Sequence, residues 1–454
     1  MEQIRVKEIL EATGGRLLCG DERTPLAHIS TDSQTVKGGE LFVPLVGERV
    51  DAHRFIGQAL AAGAAATLTA EHDTMEDAHP WIRVEDTKKA LQAVGSYCRK
   101  RLSLPLVGIT GSVGKTTTRE MVAEALSAGF RVFRTPGNKN SQVGLPITLT
   151  EISGKDEIGI LELGMSMPGE LTVIARIAQV DLAIITNVGV THIEQLGSQE
   201  NIFREKLSIQ DGLKAGGILL LNGDDPMLSK TQAREGYRTL YYGTGENCDY
   251  RAEGIRLEGG CPVFTGVCGK KRVSVRLKVM GRHHINNAMA ALAAADLYGV
   301  PLEKAAERLG GYTGFQGRQQ TFACGGVTII DDTYNASPVS MLAALEVLES
   351  METGGRRLAV LADMKELGEE AGRFHREIGD WLRRHPVDMV FTLGELSSVI
   401  EGGKVCQHFE AGDLDGLHDK LAETLQPGDC VLLKGSNSMR LGEVAKRLVK
   451  GNRK

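Results

Sequence analysis

Two long stretches of this chain alternate short aliphatic runs with segments of helical periodicity, and that alternation limits the fold more than any other feature. In the first, "PLVGI", "IGILEL", "DLAIIT" and "GILLLN" are separated by helical segments after Gly114 and around Ile202 to Leu213. In the second, "GVTIID", "RRLAVLA", "DMVFTLG", "KVCQHF" and "DCVLLKG" are each followed by a helical segment. Strands spaced by whole helices cannot pair as hairpins; they imply βαβ crossovers and parallel sheets. Between the two stretches, Cys248 to Val279 alternates in strand fashion, and "HHINNAMAALAAADLYG" reads as a helix ended by Gly299 and Pro301. Ahead of both, "ELFVPLVG" and the alanine-rich "RFIGQALAAGAA" form a smaller α/β mixture. A chain of 454 residues exceeds what one core supports. The expectation is therefore an α/β protein of three domains, at residues 1–102, 103–314 and 315–454.

Lys and Arg number 53 against 58 Asp and Glu, interleaved throughout, so no basic stripe for nucleic acid or anionic lipid is present. Eight cysteines are scattered without a C-x-x-C pair, which signals neither a zinc site nor a disulfide framework. The N-terminus "MEQIRVKEILEATGG" carries charges through its apolar positions, and no apolar run reaches spanning length. A cytoplasmic protein that binds no nucleic acid and inserts in no membrane is expected.

The stretch "VGITGSVGKTTTREM", Val107 to Met121, departs from the G-x-x-x-x-G-K-[ST] phosphate loop, since five residues separate Gly108 from Gly114. Its setting is nevertheless that of a phosphate loop, between a strand and a helix. Thr110, Gly111, Ser112, Val113 and Gly114 form the candidate cradle. Backbone N–H groups from Gly111 to Lys115 would face the anion, Lys115 would reach the terminal phosphates, and the Thr116 hydroxyl would ligate Mg²⁺. A tight turn with a surface lysine is the competing reading, and the shortened loop leaves the NTPase class open. Glu162 in "ILELG" and His192 after "IITNVGVTH" also follow strand ends, where open α/β sheets place ligands. Alone, each would be an ordinary cap or surface group; beside a phosphate loop, both are candidates for a metal.

"GITGSVGKTTT", "ELGMSMPGE", "ITNVGVTHIEQLGS", "GRHHINNAMAA", "GFQGR", "DDTYNASPVSM", "LADMKELG" and "LLKGSNSMRL" occur in this order over nearly the whole chain. Together they resemble the Mur ligases, ATP-dependent amide-forming enzymes of peptidoglycan precursor synthesis. The family's loop has the short Gly-x-x-Gly-Lys-Thr form. The resemblance implies a UDP-sugar-binding N-terminal module, a central ATPase-like sheet and a C-terminal Rossmann-like sheet. "DDTYNASPVSM" and "DMKELG" are most similar to those of the member that joins D-alanyl-D-alanine to UDP-N-acetylmuramoyl-tripeptide, which implies those two substrates, ATP and two Mg²⁺ ions. A monomer is expected.

Residue by residue, the resemblance assigns Thr116, Glu162, His192 and Lys206 to the metals, Lys206 as a carbamate formed with CO₂. The family has an acidic residue two places after that lysine, and Ser208 stands here. Lys115, His192 and Lys206 carry the catalytic roles. Asn287 matches the asparagine that meets adenine, although the family's preceding His-Asn is His283-His284. Arg318 is assigned to phosphates and Asp332 to ribose, with Asp331 as its turn partner. Tyr334, Asn335 and Ser337 face the incoming dipeptide. Asp32, Ser33, Gly47, Asp51 and His53 are the UDP-sugar candidates, with Gln34 and Ala52 in place of the usual arginine and glycine. Each of these five also reads as a turn or helix cap. Three alternatives stay open: a sister ligase adding one diamino acid, whose Asp-Asn-Pro-Arg motif is absent; a folylpolyglutamate synthase-like enzyme; and a nucleotide-gated binding protein.

Overall fold

In a computed structural model, which describes residues 4–451, the chain builds three sheets in sequence order. The first is a mixed sheet with strands ordered Arg16–Cys19, Trp81–Arg83, Ala66–Thr69, Leu41–Phe42 and Ile29–Ser30, of which only the first pair is antiparallel. Its last helix, Thr87–Arg101, starts where the Asp86 side chain accepts from the Lys89 N–H. Ala90, Leu91, Val94 and Cys98 give it one buried face, the i, i+4, i+8 stripe that a sheet-packed helix requires.

Arg99 leaves that face for the next domain. Its Nε donates to the Ala178 carbonyl at 2.7 Å, Nη2 to the Gln179 carbonyl at 2.8 Å, and Nη1 to the Leu102 carbonyl at 3.1 Å. The guanidinium thus caps the carboxyl end of helix Glu170–Ala178, where carbonyls lack partners and the helix dipole is negative.

The second sheet has nine strands. Six run parallel in the spatial order Val132–Arg134, Ile158–Glu162, Leu106–Thr110, Leu182–Ile185, Ile218–Asn222, Arg238–Gly243. Leu106–Thr110 is flanked on both sides by later strands, so the chain leaves to one side and returns to the other. That reversal opens a crevice beyond its carboxyl end. Along this strand Val107 and Ile109 join one buried cluster while Leu106 joins another, the period of two of a strand covered on both faces. Helix Lys115–Leu126 packs on helix His284–Leu297, whose Ala290, Ala291, Ala293, Ala294 and Ala295 are fully buried. Small side chains permit that close approach. The helix expected at Ile202 to Leu213 is Gln199–Leu207, continued by a 3₁₀ turn through Ser208–Gly212.

The sheet ends in an antiparallel ribbon, Tyr250–Glu258, Cys261–Cys268 and Lys271–Arg276. On its outer surface Glu253 pairs with Arg251 and Arg272, and Glu258 pairs with Arg256 and Arg276.

The third sheet is ordered Gln320–Cys324, Val327–Asp332, Cys430–Lys434, Arg357–Ala362, Met389–Leu393, Val405–Phe409. Five strands are parallel, and Gln320–Cys324 is an antiparallel edge. The expected alternation does not contain that edge strand. It exists because Gly325 and Gly326 both adopt positive φ, +59° and +79°, in a two-residue turn that returns the chain on itself.

Candidate active site

The carboxyl edges of the second and third sheets face each other across a cavity of about 430 Å³. At its floor the phosphate-loop sequence forms a turn between strand Leu106–Thr110 and helix Lys115–Leu126. Gly114 caps that helix with φ +83°. Gly111 has φ +147°, and a Cβ there would lie 1.9 Å from the Thr186 hydroxyl oxygen, so only glycine fits.

The loop is held from the neighbouring strand's end. Thr186 Oγ1 and Asn187 Nδ2 donate to the Val113 carbonyl at 2.6 and 3.0 Å, and Asn187 Oδ1 accepts the Val113 N–H at 2.9 Å. The Ser112 N–H donates to the Asn187 carbonyl at 3.1 Å, and the Gly189 N–H to Ser112 Oγ at 2.9 Å. The cradle is therefore preorganised. Lys115 curls over it, its Nζ donating to the Gly111 carbonyl at 2.7 Å. Burial lowers the pKa of this ammonium from its ordinary value, against the opposing pull of Glu162.

Thr116 Oγ1 donates to Glu162 Oε2 at 2.9 Å, and Asn140 Nδ2 donates to Oε1 at 2.8 Å. The buried Arg119 guanidinium lies 3.3 Å from Glu162 Oε2 and is otherwise paired with Glu120. A hydroxyl and a carboxylate oxygen side by side at the first turn after a phosphate loop suit a hard, oxygen-seeking cation, so these residues fit Mg²⁺. His192, with φ +66°, has its Nδ1 2.6 Å from Glu366 Oε2, in the loop after strand Arg357–Ala362, although its N–H is not aligned for a hydrogen bond. That contact, ahead of burial's opposing effect, keeps the Glu366 carboxyl below its ordinary range.

Lys206 closes helix Gln199–Leu207 and is 2% exposed. The acidic residue whose charge favours its ammonium is Glu205. Glu205 beside it is committed elsewhere, accepting the Gly169 and Leu171 N–H groups at the start of helix Glu170–Ala178. Burial, with Lys115's charge adding to it, holds the Lys206 pKa well below the usual lysine value.

Beside the loop Thr118 Oγ1 donates to Asn287 Oδ1 at 3.0 Å, and Asn287 Nδ2 lies 3.3 Å from His284 Nδ1. His284 Nε2 in turn lies 3.2 Å from Gln319 Oε1, an arrangement that suits the tautomer with Nε2 protonated and Nδ1 accepting from Asn287. Burial pushes His284 well below the ordinary imidazole pKa, so it is neutral. Arg318 stacks on the Tyr334 ring with its Cζ 4.1 Å from the centroid, and its buried Nε has no protein partner. Asp332 accepts from Lys434 Nζ at 2.7 Å. Asp331 accepts from the Thr333 N–H and hydroxyl, so its turn contact is with Thr333 and not with Asp332.

The cavity thus gathers Ser112, Val113, Gly114, Lys115, Glu162, His192, Asn287, Arg318, Asp332, Tyr334, Asn335 and Ser337 in its lining. Thr110, Gly111, Thr116 and Lys206 do not line it; Thr110, Thr116 and Lys206 are buried. The N-terminal candidates are elsewhere. Asp32 accepts the Gln34 N–H and Asp51 the His53 N–H, each at 2.9 Å, both as helix caps, and Ser33 Oγ reaches Gln58 at 3.3 Å. Gly47 turns the chain by donating to the Val50 carbonyl. Asp51, His53 and Glu71 cluster, but His53 Nδ1 is 2.6 Å from Asp51 and Nε2 accepts the Ala70 N–H, so neither nitrogen is left for a metal. Lys434, Gln319, Asn140 and Arg119 were given no role from sequence. The signal for two of them was present: Lys434 ends an apolar strand before a glycine, and Asn140 lies in the turn "PGNKNS" after another strand.

Comparison with known proteins agrees with this geometry. Family models match residues 25–97 (Mur ligase family, catalytic domain), 109–295 (Mur ligase middle domain) and 317–437 (Mur ligase, glutamate ligase domain). A Bacillus subtilis protein described as UDP-N-acetylmuramoyl-tripeptide--D-alanyl-D-alanine ligase is 37% identical over 98% of both chains. The crystal structure of MurF from Acinetobacter baumannii is 29% identical and superposes with a TM-score of 0.89 over 98% of each chain. The MurF ligase of Thermotoga maritima, solved in complex with ADP, is 30% identical with a TM-score of 0.83, covering 95% of this chain and 98% of that one. With its three sheets, its phosphate loop and its motifs all accounted for over nearly its whole length, the chain belongs to the Mur ligase family.

Proposed function

We propose that this chain joins D-alanyl-D-alanine to UDP-N-acetylmuramoyl-tripeptide in an ATP-dependent amide ligation, releasing ADP and phosphate, as a step of peptidoglycan precursor synthesis. The observation that carries the reading is the single cavity on which the phosphate loop and the Asp332 to Ser337 edge converge. The full-length relatives that bear this activity in their names support the substrate pair. The tripeptide carboxylate attacks the γ-phosphorus in line, ADP leaves, and an acyl phosphate results. The amine of the dipeptide then attacks the carbonyl carbon, phosphate departs with the bonding pair, and the amine loses a proton.

Phosphoryl transfer of this kind needs positioning and charge neutralisation more than covalent help. The loop N–H groups hold the phosphates. Lys115, released from the Gly111 carbonyl, moves onto the β,γ-oxygens. Thr116 and Glu162 would hold one Mg²⁺, and His192 with Lys206 would hold a second. The cations would supply neutralisation of charge on the γ-phosphate and acyl phosphate. Burial lowers the Lys206 pKa and so raises the share of neutral amine, which adds through nitrogen to CO₂ and loses a proton, so that an oxygen donor stands where an ammonium would repel a metal. Asn287 meets adenine, Asp332 the ribose and Arg318 the phosphates. Tyr334, Asn335 and Ser337 face the dipeptide. The five N-terminal candidates belong to the UDP-sugar end of the substrate.

Incubation of the protein with ATP, Mg²⁺, UDP-N-acetylmuramoyl-tripeptide and D-alanyl-D-alanine, and in parallel with ATP, Mg²⁺, the UDP-linked dipeptide and a diamino acid, followed by product mass, tests the reading. Transfer of intact D-alanyl-D-alanine is expected. Addition of one diamino acid to the UDP-linked dipeptide, without dipeptide transfer, would replace it by the sister reaction. ATP hydrolysis that ignores both substrates would replace it by a nucleotide switch.

A further inference from the structure

The cleft contains one buried cation that the reaction scheme above leaves unused. Lys434 is the last residue of strand Cys430–Lys434 and is 1% exposed. Its register partner on the adjacent parallel strand is Asp332, the last residue of Val327–Asp332. Both strands therefore stop at the same level, and the two side chains leave their carboxyl ends together. Lys434 Nζ donates to Asp332 Oδ2 at 2.7 Å and to the Asn335 carbonyl at 3.1 Å. Both residues border the nucleotide cavity.

Two of the three ammonium protons are thus spent on groups from one short segment, the strand end that faces ribose and the loop that faces the dipeptide. Burial alone raises the Asp332 pKa, and the Lys434 charge opposes that rise. A carboxylate that must remain ionised to accept from a sugar hydroxyl needs such a partner in a buried position. The Asn335 carbonyl needs a donor as well, since the loop at that point makes no sheet ladder.

We propose that Lys434 is a positioning residue that sets Asp332 against the ribose hydroxyls and fixes the Asn335 loop, so that nucleotide and dipeptide sites are registered by one ammonium group. The inference rests on the ligase reading for the identity of the ligands. It assigns to Lys434 no contact with either of them. Arginine at this position is no substitute: the planar fork is wider than an ammonium and cannot place single donors on two acceptors at the same depth.

The test is nucleotide binding by the full chain, measured by calorimetry with ADP and with its 2′-deoxy and 3′-deoxy analogues. Wild type is expected to bind ADP and to disfavour at least one deoxy analogue by about tenfold, the worth of one hydrogen bond to a charged group. Lys434→Met is expected to bind ADP about tenfold more weakly and to lose the deoxy discrimination. Its KM for the dipeptide should rise at the same time. Because Lys434→Met leaves a carboxylate buried without a partner, the double variant Asp332→Asn/Lys434→Met, which buries no charge, is measured beside it. Loss of discrimination in the double variant equal to that in Asp332→Asn alone supports the inference, since the lysine then acts through the aspartate. Wild-type discrimination retained in Lys434→Met, or an unchanged dipeptide KM in a variant that binds ADP, overturns it. Wild type that binds ADP without any deoxy preference also overturns the ribose assignment on which it depends. Failure of wild type to bind ADP at all would instead remove the ligase reading itself.

Discussion

Replacement of Gly111 by alanine tests whether the phosphate loop has its observed shape. The added Cβ would meet Thr186 Oγ1 at 1.9 Å, Thr186 Cβ at 3.0 Å and the Thr186 N–H nitrogen at 3.1 Å. Ordinary carbon contacts lie near 3.5 to 4.0 Å, so the shortfall at the hydroxyl is about 1.6–2.1 Å. Thr186 cannot swing away cheaply, because its hydroxyl donates to the Val113 carbonyl and its N–H to the Thr110 carbonyl. Backbone strain at a φ of +147° contributes about 1–3 kcal/mol, and overpacking about 1–3 kcal/mol more. A loss of about 4 kcal/mol is expected, together with loss of ADP binding. Thermal unfolding with and without ADP is the assay, and the transition that ADP shifts in wild type is the one to follow. Thr186→Ala removes the 1.9 Å clash and leaves the other two contacts. The double variant should therefore be about 1–2 kcal/mol more stable than additivity predicts. Gly111→Ala within 0.5 kcal/mol of wild type with unchanged ADP affinity, or strict additivity with Thr186→Ala, would refute the steric argument.

Lys115→Ala should retain the fold and lose on the order of 100-fold or more in turnover, read by product formation, because it removes a clamp on transition-state charge. Lys206→Ala should be nearly inactive and partly restored by short carboxylic acids, which should not rescue Lys115→Ala; a ¹³C carbamate signal with labelled bicarbonate should vanish with it. In CO₂-free, metal-free buffer the depressed Lys206 pKa has a fixed sign: the unfolded chain, with an ordinary value of about 10.4, binds more protons, so stability falls as pH drops from there through the folded value. Lys206→Met should lose that slope and be the more stable protein at pH 7, read by denaturant unfolding at several pH values. Arg99→Met should lower stability by about 3 kcal/mol, read by thermal unfolding, because three carbonyls lose a charged donor.

The parts legible in the sequence were those fixed by local periodicity and by motif spacing. Parallel strands such as Ile158–Glu162 and Cys430–Lys434 are continuous apolar runs, and a run of that kind can be read without its neighbours. The edge strand Gln320–Cys324 was not read, although "CGGV" is a two-residue hairpin signal; its alternating pattern is weak because one face stays half exposed. The cleft residues Glu162 and His192 lie at or just past strand ends and were read by that rule, whereas Asp332 came from the resemblance. Glu366 and Lys434 matter through partners 174 and 102 positions away. No local rule connects such pairs, since strand order and domain docking decide them. The N-terminal candidates show the opposite limit: Asp32 and Asp51 have caps as their local duty, and sequence alone could not separate that duty from ligand contact.

The charged ribbon at the end of the central sheet bears on how this protein behaves in company. A nine-stranded sheet has two outer strands, and each offers unpaired backbone groups to any passing extended segment. One is only Val132–Arg134, too short to template a long ladder. The other, Lys271–Arg276, is long enough, but it is flanked by arginines tied to Glu253 and Glu258 of the ribbon. An incoming strand would have to strip those pairs of water and of each other. The protection is ionic and therefore conditional: salt weakens exposed pairs, and replacing both glutamates by valine would turn a guarded border into an adhesive one, seen as light scattering at concentrations where the native chain stays clear.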